Sequence, residues 1–124
     1  MKLNPFESTI LEGWETVHKK AQMSLWILLA IRERKGFAEE ILRFIKQHAD
    51  LEPGEQSLYR SLRRLESATI VKSVKVDNSA GPDRKLFTLT NEGQRVLESF
   101  IERNIVRPIL SPSHQSLFIS NKEK

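Results

Sequence analysis

Cysteine is absent from this chain, which removes disulfides, thiolate zinc sites and thiol nucleophiles from its chemistry and agrees with a reducing compartment. Long apolar runs are missing as well. The longest, Leu25 to Ile31, has seven residues, well short of the ~20 that cross a bilayer. The start, MKLNPFESTILEGWE, carries acids and a proline where an export signal needs positive charge and an unbroken apolar stretch, so no export is expected. His18, His48 and His114 stand apart with no ligand-like spacing. Neither Ser-His-Asp logic nor a Gly-rich phosphate loop is visible, and the acidic pairs Glu39-Glu40 and Asp50-Glu52 read as helix-surface charge. These absences argue against an enzyme, a metal site or a cofactor, and for a soluble cytoplasmic protein. A chain of 124 residues fits one domain, burying roughly two-thirds of the surface its unfolded form exposes.

What the chain does have is positive charge in one place. It holds 20 basic and 16 acidic residues, a net charge of +4, with an isoelectric point of about 9.6. From Ser57 to Lys85, Arg60, Arg63, Arg64, Lys72, Lys75, Arg84 and Lys85 stand against Glu66, Asp77 and Asp83, seven against three. That window therefore accounts for the whole excess, as a surface that tracks a phosphate backbone would.

Periodicity lays out the elements. Ser8 or Thr9 can cap a first helix, Thr9 with Glu12 having the spacing of a capping box, and the residues before them read as mobile. Ile10, Trp14, Val17 and Ala21 recur at helical intervals into MSLWILLAI, a segment apolar on most sides and central to the core. Gly36 interrupts, and a second helix over Phe37–His48 presents Phe37, Ile41, Phe44 and Ile45 on one face. Leu51-Glu52-Pro53-Gly54 is a turn, with Gly54 free to take unusual dihedrals. A third helix over Glu55–Ser67 turns Leu58, Leu62 and Leu65 inward and a basic face outward. IVKSVKV alternates as a strand with Lys72 and Lys75 on opposite faces, DNSAGPD is a loop, and KLFTLT returns as a second strand. Thr90 caps a last helix, Asn91 to about Val106, which Arg107-Pro108 should end. The Ser-, Asn- and Lys-rich tail holds one apolar knot, Leu117-Phe118-Ile119, and reads as flexible or loosely docked.

Three helices, a two-stranded ribbon and a closing helix form a winged helix-turn-helix, an α+β fold that is mainly α. The strings LYRSLRRLE, GPDRK, FTLT and NEGQRVL then resemble the PadR-like family of bacterial transcription regulators, over roughly Leu25 to Ile105. Leu58, Tyr59, Leu62, Leu65 and Glu66 match the family's recognition-helix pattern. Lys85, Phe87, Leu89, Thr90 and Gly93 match its wing strand and following helix, and Gly36-Phe37 meets a Gly-aromatic pair. One departure has physical content. Thr69 stands where the family usually has glycine between helix and wing, and a left-handed cap is costly for a β-branched residue.

The resemblance implies a homodimeric repressor, with N- and C-terminal dimerisation helices, that binds pseudo-palindromic double-stranded DNA. On the third helix Gln56, Arg60, Arg63 and Arg64 share the face opposite the leucines, with Ser57 beside them. Gln56, Ser57 and Arg60 are assigned to bases, Arg63 and Arg64 more to phosphates. The bland alternative is a solvated face on which Arg63 pairs with Glu66. Tyr59 is either a phosphate donor or an interior aromatic with its hydroxyl at the surface. Arg84 and Lys85 flank the wing strand and are expected to contact DNA irrespective of sequence, and of Lys72 and Lys75 at most one touches DNA, Lys75 being the choice; strand lysines also serve as plain edge protection.

Trp14, Val96, Leu97, Phe100, Ile101 and Ile105 are the expected dimer contacts. Trp14 and Trp26 lie roughly 120° apart on one helix, which favours packing over a shared ligand surface. Some relatives bind flat aromatic compounds at the dimer interface, so a small aromatic ligand or a protein inducer there remains open. The division expected is 1–20 as a helical extension in the dimer contact, 21–90 as the DNA-binding domain, 91–107 as the dimerisation helix and 108–124 as a flexible tail. The rival function is a winged-helix interaction module that binds an acidic protein partner.

Overall fold

Asn4 starts the first helix. In the computed structural model, which describes residues 1–119, its side-chain oxygen accepts from the Glu7 N–H (2.8 Å) while the Glu7 carboxylate accepts from the Asn4 N–H (3.0 Å). Pro5 then occupies the first helical position, where a missing N–H costs nothing. Helix α1 accordingly runs from Pro5 to Arg32, a turn earlier than the Thr9–Glu12 spacing suggests. Thr9 donates back to the Pro5 carbonyl instead (3.0 Å). Burial divides this helix in two. Leu25, Ile27, Leu28, Ala30 and Ile31 are buried, whereas Phe6, Ile10, Leu11, Trp14 and Val17 are exposed.

The chain leaves α1 through a left-handed residue that is not glycine. Arg34 has φ 65°, and Lys35 N–H reaches the Ala30 carbonyl (2.9 Å). Gly36 serves packing instead: a Cβ there would overlap the Phe87 carbonyl oxygen, and that close approach lets Phe87 N–H donate to the Gly36 carbonyl (3.0 Å). Helix α2 is Ala38–His48, begun by a Glu40 carboxylate that accepts from the Phe37 N–H (3.2 Å). Phe37, expected as its first residue, lies just before it. In the turn that follows, Asp50 takes the positive φ (53°), and Gly54 is an extended N-cap at φ −74°. Helix α3 is Glu55–Ser67.

Strands β1 (Val71–Val76) and β2 (Arg84–Leu89) pair antiparallel, with Val71 opposite Leu89, Ser73 opposite Phe87 and Lys75 opposite Lys85. A bridge from Phe37 to Leu86 adds a rung on the far edge of β2. Ile27, Ile41, Ile45, Leu58, Leu62, Val71 and Leu97 are the largest side chains sealed inside. Each is worth about 1.5–3 kcal/mol of apolar burial. One core thus ties all three leading helices, the ribbon and the helix that carries Leu97 together.

The end of α3 decides where the wing goes. Ile70 N–H donates to the Leu65 carbonyl (2.9 Å) and Thr69 N–H to the Glu66 carbonyl (3.0 Å), the paired bonds of a Schellman cap. That cap requires a left-handed residue, and Thr69 supplies it at φ 61°. The Thr90 hydroxyl donates between the Thr69 (2.6 Å) and Ile70 (3.0 Å) carbonyls and accepts from Gly93 N–H (2.9 Å). Gly93 is buried so close to Ile70 that a Cβ would overlap the Ile70 carbonyl oxygen.

Helix α4 is Asn91–Ile101. Pro108 does not stop the chain as expected; from Glu102 to Leu110 the helix continues in π form with Pro108 inside it. The wider turn relieves the crowding that a proline ring imposes on the carbonyl four residues back. Ser111 and Pro112 make the break, and helix α5 is Pro112–Phe118. Within the segment expected to be a flexible tail, α5 folds back so that His114 Nδ1 meets the Pro108 carbonyl (3.0 Å) and Gln115 Nε2 donates to that of Leu110 (3.2 Å). The rest of the tail, 120–124, lies outside the described residues.

Two substitutions test the junction. Gly93→Ala should lower the unfolding free energy by about 1–3 kcal/mol through overpacking. Thr69→Gly should raise it by up to about 1 kcal/mol, the relief of left-handed strain less the extra freedom of the unfolded chain. Both are read from urea unfolding midpoints.

Candidate nucleic-acid interface

Helix α3 lies with Leu58 and Leu62 in the core, which leaves Gln56, Arg60, Arg63 and Arg64 exposed and Ser57 half-buried. Arg60 Nη2 donates weakly to Ser57 Oγ (3.4 Å) and Arg64 Nη2 to Ser61 Oγ (3.3 Å). Among the described residues, none of these three arginines forms an ion pair. The Arg63–Glu66 pair that would neutralise the face is not formed. Glu66 turns to the ribbon and accepts from Ser73 Oγ at 2.7 Å. The result is three guanidinium groups on one stripe with no acid paired to them among the described residues. Tyr59 borders the stripe with 43% of its surface exposed.

The register gives the wing its polarity. Val71, Ser73 and Lys75 share one face of the ribbon with Leu89, Phe87 and Lys85. The inner end of that face enters the core through Val71 and Phe87, and Ser73 ties its middle to α3. Lys75 and Lys85 extend the same face outward as a directly opposed like-charged pair, an arrangement that weakens a sheet on its own. Lys72 is on the reverse side, opposite Thr88.

Arg84 behaves differently from its neighbour. Its guanidinium pairs with the Glu39 carboxylate and stacks over the Phe37 ring, 3.9 Å from the centroid. A cleft of about 400 Å³ lies between the start of α2, α3 and the wing, lined by Phe37, Glu39, Tyr59, Arg84, Lys85 and Phe87 among others. Glu39 and Phe37 were not singled out as site residues from sequence. Glu39 has no local signal, because its partner arrives from the far end of the ribbon. Phe37 could have been noticed through its spacing to Glu40, which marks a helix start.

The candidate dimer residues divide by burial. Leu97 is 1% exposed and belongs to this chain's own core, whereas Trp14, Val96 and Phe100 are exposed. Ile101 and Ile105 are half-buried against the core. Trp26 is occupied within the chain, donating to Gln22 Oε1 (3.1 Å) and packing tilted on Phe44 at 6.5 Å. It shares no surface with Trp14. Among the described residues no His, Asp or Glu cluster could hold a metal ion, and no helix is long and apolar enough to cross a membrane.

The model of the transcriptional regulator PadR-like family matches residues 27–99, more than half of the chain. The chain belongs to this family. A PadR family transcription regulator from Clostridium difficile is 28% identical, with a TM-score of 0.63 over 77% of this chain and 98% of its own. Two solved structures share the fold alone. One is a PadR family regulator from Eggerthella lenta, 19% identical, TM-score 0.70 over 95% of this chain and 100% of its own. The other is Bacillus subtilis PadR in complex with operator DNA, 16% identical, TM-score 0.52 over 75% of this chain and 62% of its own. Among curated proteins none matches significantly. The family match spans α3, the wing and the start of α4, so the stripe and the opposed lysines belong to the part of the chain that makes it a PadR-like transcription regulator.

The Glu66–Ser73 bond is the direct side-chain tie between stripe and wing. In a double-mutant cycle with Glu66→Ala and Ser73→Ala, urea unfolding should return a coupling of about 1 kcal/mol; additive losses would remove this tie from the account.

Proposed function

We propose that the chain is a homodimeric repressor that binds a pseudo-palindromic operator, with α3 in the major groove and the wing along the backbone or minor groove. The observation that carries this reading is the basic stripe of α3, without an ion pair among the described residues, next to a ribbon face that Ser73 ties to α3 and that carries Lys75 and Lys85. Charges left without acidic partners on two adjacent elements suit a polyanion, where each phosphate neutralised releases counterions. The Bacillus subtilis structure that shares this fold is PadR in complex with operator DNA, which supports DNA as the polyanion. Gln56, Ser57 and Arg60, near the start of α3, reach base edges. Arg63, Arg64 and the Tyr59 hydroxyl hold phosphates beside them, and Lys75 and Lys85 do so from the wing.

The dimer uses the exposed half of α1 and the outer face of α4. Phe6, Ile10, Leu11, Trp14 and Val17 are too many exposed apolar side chains for a free helix, and Val96 and Phe100 extend the same demand. Residues 1–20 and 91–107 therefore serve assembly, and 21–90 serves DNA. A regulator of this kind works in the cytoplasm, where its operator is.

Binding to its own promoter region, compared with random DNA at two salt concentrations, tests the function; equal affinity for both would overturn it. Arg60→Ala should cut the preference for the operator roughly 10-fold to 100-fold while barely changing binding to random DNA. Lys85→Ala should weaken both alike and lower the slope of log affinity against log salt by about one. Phe100→Glu should shift the sedimenting species from dimer to monomer.

A further inference from the structure

We infer that Arg84 positions the wing and is not one of its phosphate contacts, with Glu39 and Phe37 as the seat that holds it; this rests on the DNA-binding reading above. Among the described residues the Arg84–Glu39 pair is the ion pair that joins two separate elements, since Arg107 and Glu102 lie in one helix. Arg84 is the first residue of β2, paired with Val76 at the outer end of the ribbon, directly after the tip loop. That end has little else to hold it. Val74 is 56% exposed, and the inner anchors, Ser73 to Glu66 and Phe87 to Gly36, lie further in. A two-stranded ribbon tied only at its base is free to swing at its tip.

The aromatic part of the seat is tied down through its backbone. Phe37 is fixed by its N–H bond to the Glu40 carboxylate (3.2 Å) and by its bridge to Leu86. The guanidinium lies flat on this ring, 3.9 Å away, and arginine suits the task because one planar group can stack and pair at once. Its charge is already matched by Glu39. A phosphate would have to share its donors with Glu39, and little new counterion would be released while the carboxylate kept its place. Lys85, one residue further along, and Lys75 opposite it have no acidic partner among the described residues. They are the groups free to take the phosphates, at the distance from α3 that the Arg84 seat sets.

Two measurements on the full chain decide this, using wild type, Arg84→Gln, Glu39→Gln, and the exchange variant Glu39→Arg with Arg84→Glu. In the free protein, amide hydrogen exchange of residues 84–87 should quicken about 10-fold in either single variant and return toward wild type in the exchange variant, while core amides of α3 stay protected. Unchanged exchange in both single variants would overturn the inference whether or not DNA binds. On an operator selected from a random DNA pool, both single variants should bind about five-fold more weakly with an unaltered salt slope, and the exchange variant should recover. If Arg84→Gln lowers the slope by about one, as a lost phosphate contact does, while Glu39→Gln binds as well as or better than wild type, Arg84 is a phosphate ligand and Glu39 its competitor. Failure of wild type to prefer any sequence would instead overturn the DNA-binding function and leave the exchange data to judge the seat.

Discussion

The Thr90 hydroxyl holds together the two parts of this molecule that must act in register. It donates to the carbonyls where α3 ends and accepts from the backbone where α4 begins. Those carbonyls sit on the left-handed turn of Thr69, and Gly93 comes close to that of Ile70 because it has no side chain. Strain at Thr69 is stored where the surroundings over-determine the backbone, with the helix cap on one side and Thr90 on the other. The angle between basic helix and wing is therefore fixed by a few backbone bonds and a hydroxyl. A β-branched residue at that point changes the cost of the turn and leaves its geometry intact.

From that junction the electrostatics follow. Glu66 is drawn to Ser73 and so does not discharge Arg63. The strand register sets Lys75 against Lys85. Both arrangements cost something in the free protein: an uncompensated stripe repels itself, and opposed lysines weaken the ribbon. A polyanion would reverse both costs at once. The same pattern explains why Arg84 can be spent on Glu39 and Phe37, since charge for binding is available on the next residue.

Apolar exposure follows a similar division. The second half of α1 is sealed in the core and the first half is bare. The sealed part is the uncharged run MSLWILLAI, yet Ile10, Trp14 and Val17 carry the same apolar stripe on into the bare half. What differs is whether other elements of the chain reach that far. On α4 the same stripe splits by face, Leu97 inward and Val96 and Phe100 outward.

Local pattern was enough for the helices α2 and α3, the two strands and the arginine face, because each depends on residues three, four or two apart. The Thr90 cap was legible for the same reason. The start of α1 was in plain view at Asn4-Pro5 but was outweighed by a second capping pattern one turn later. Gly36, Gly54 and Pro108 mislead for a common reason: conformational freedom or its lack is a local property, but its use depends on what packs nearby. Arg34 and Asp50 took the left-handed positions, Gly36 took a close approach, and a π turn absorbed the proline. Sequence alone determined the family, the fold class and which face of α3 is basic. Only the tertiary structure decided which charges remain free, since Glu39 meets Arg84, Glu66 meets Ser73 and Lys75 meets Lys85 across chain separations that no local periodicity encodes.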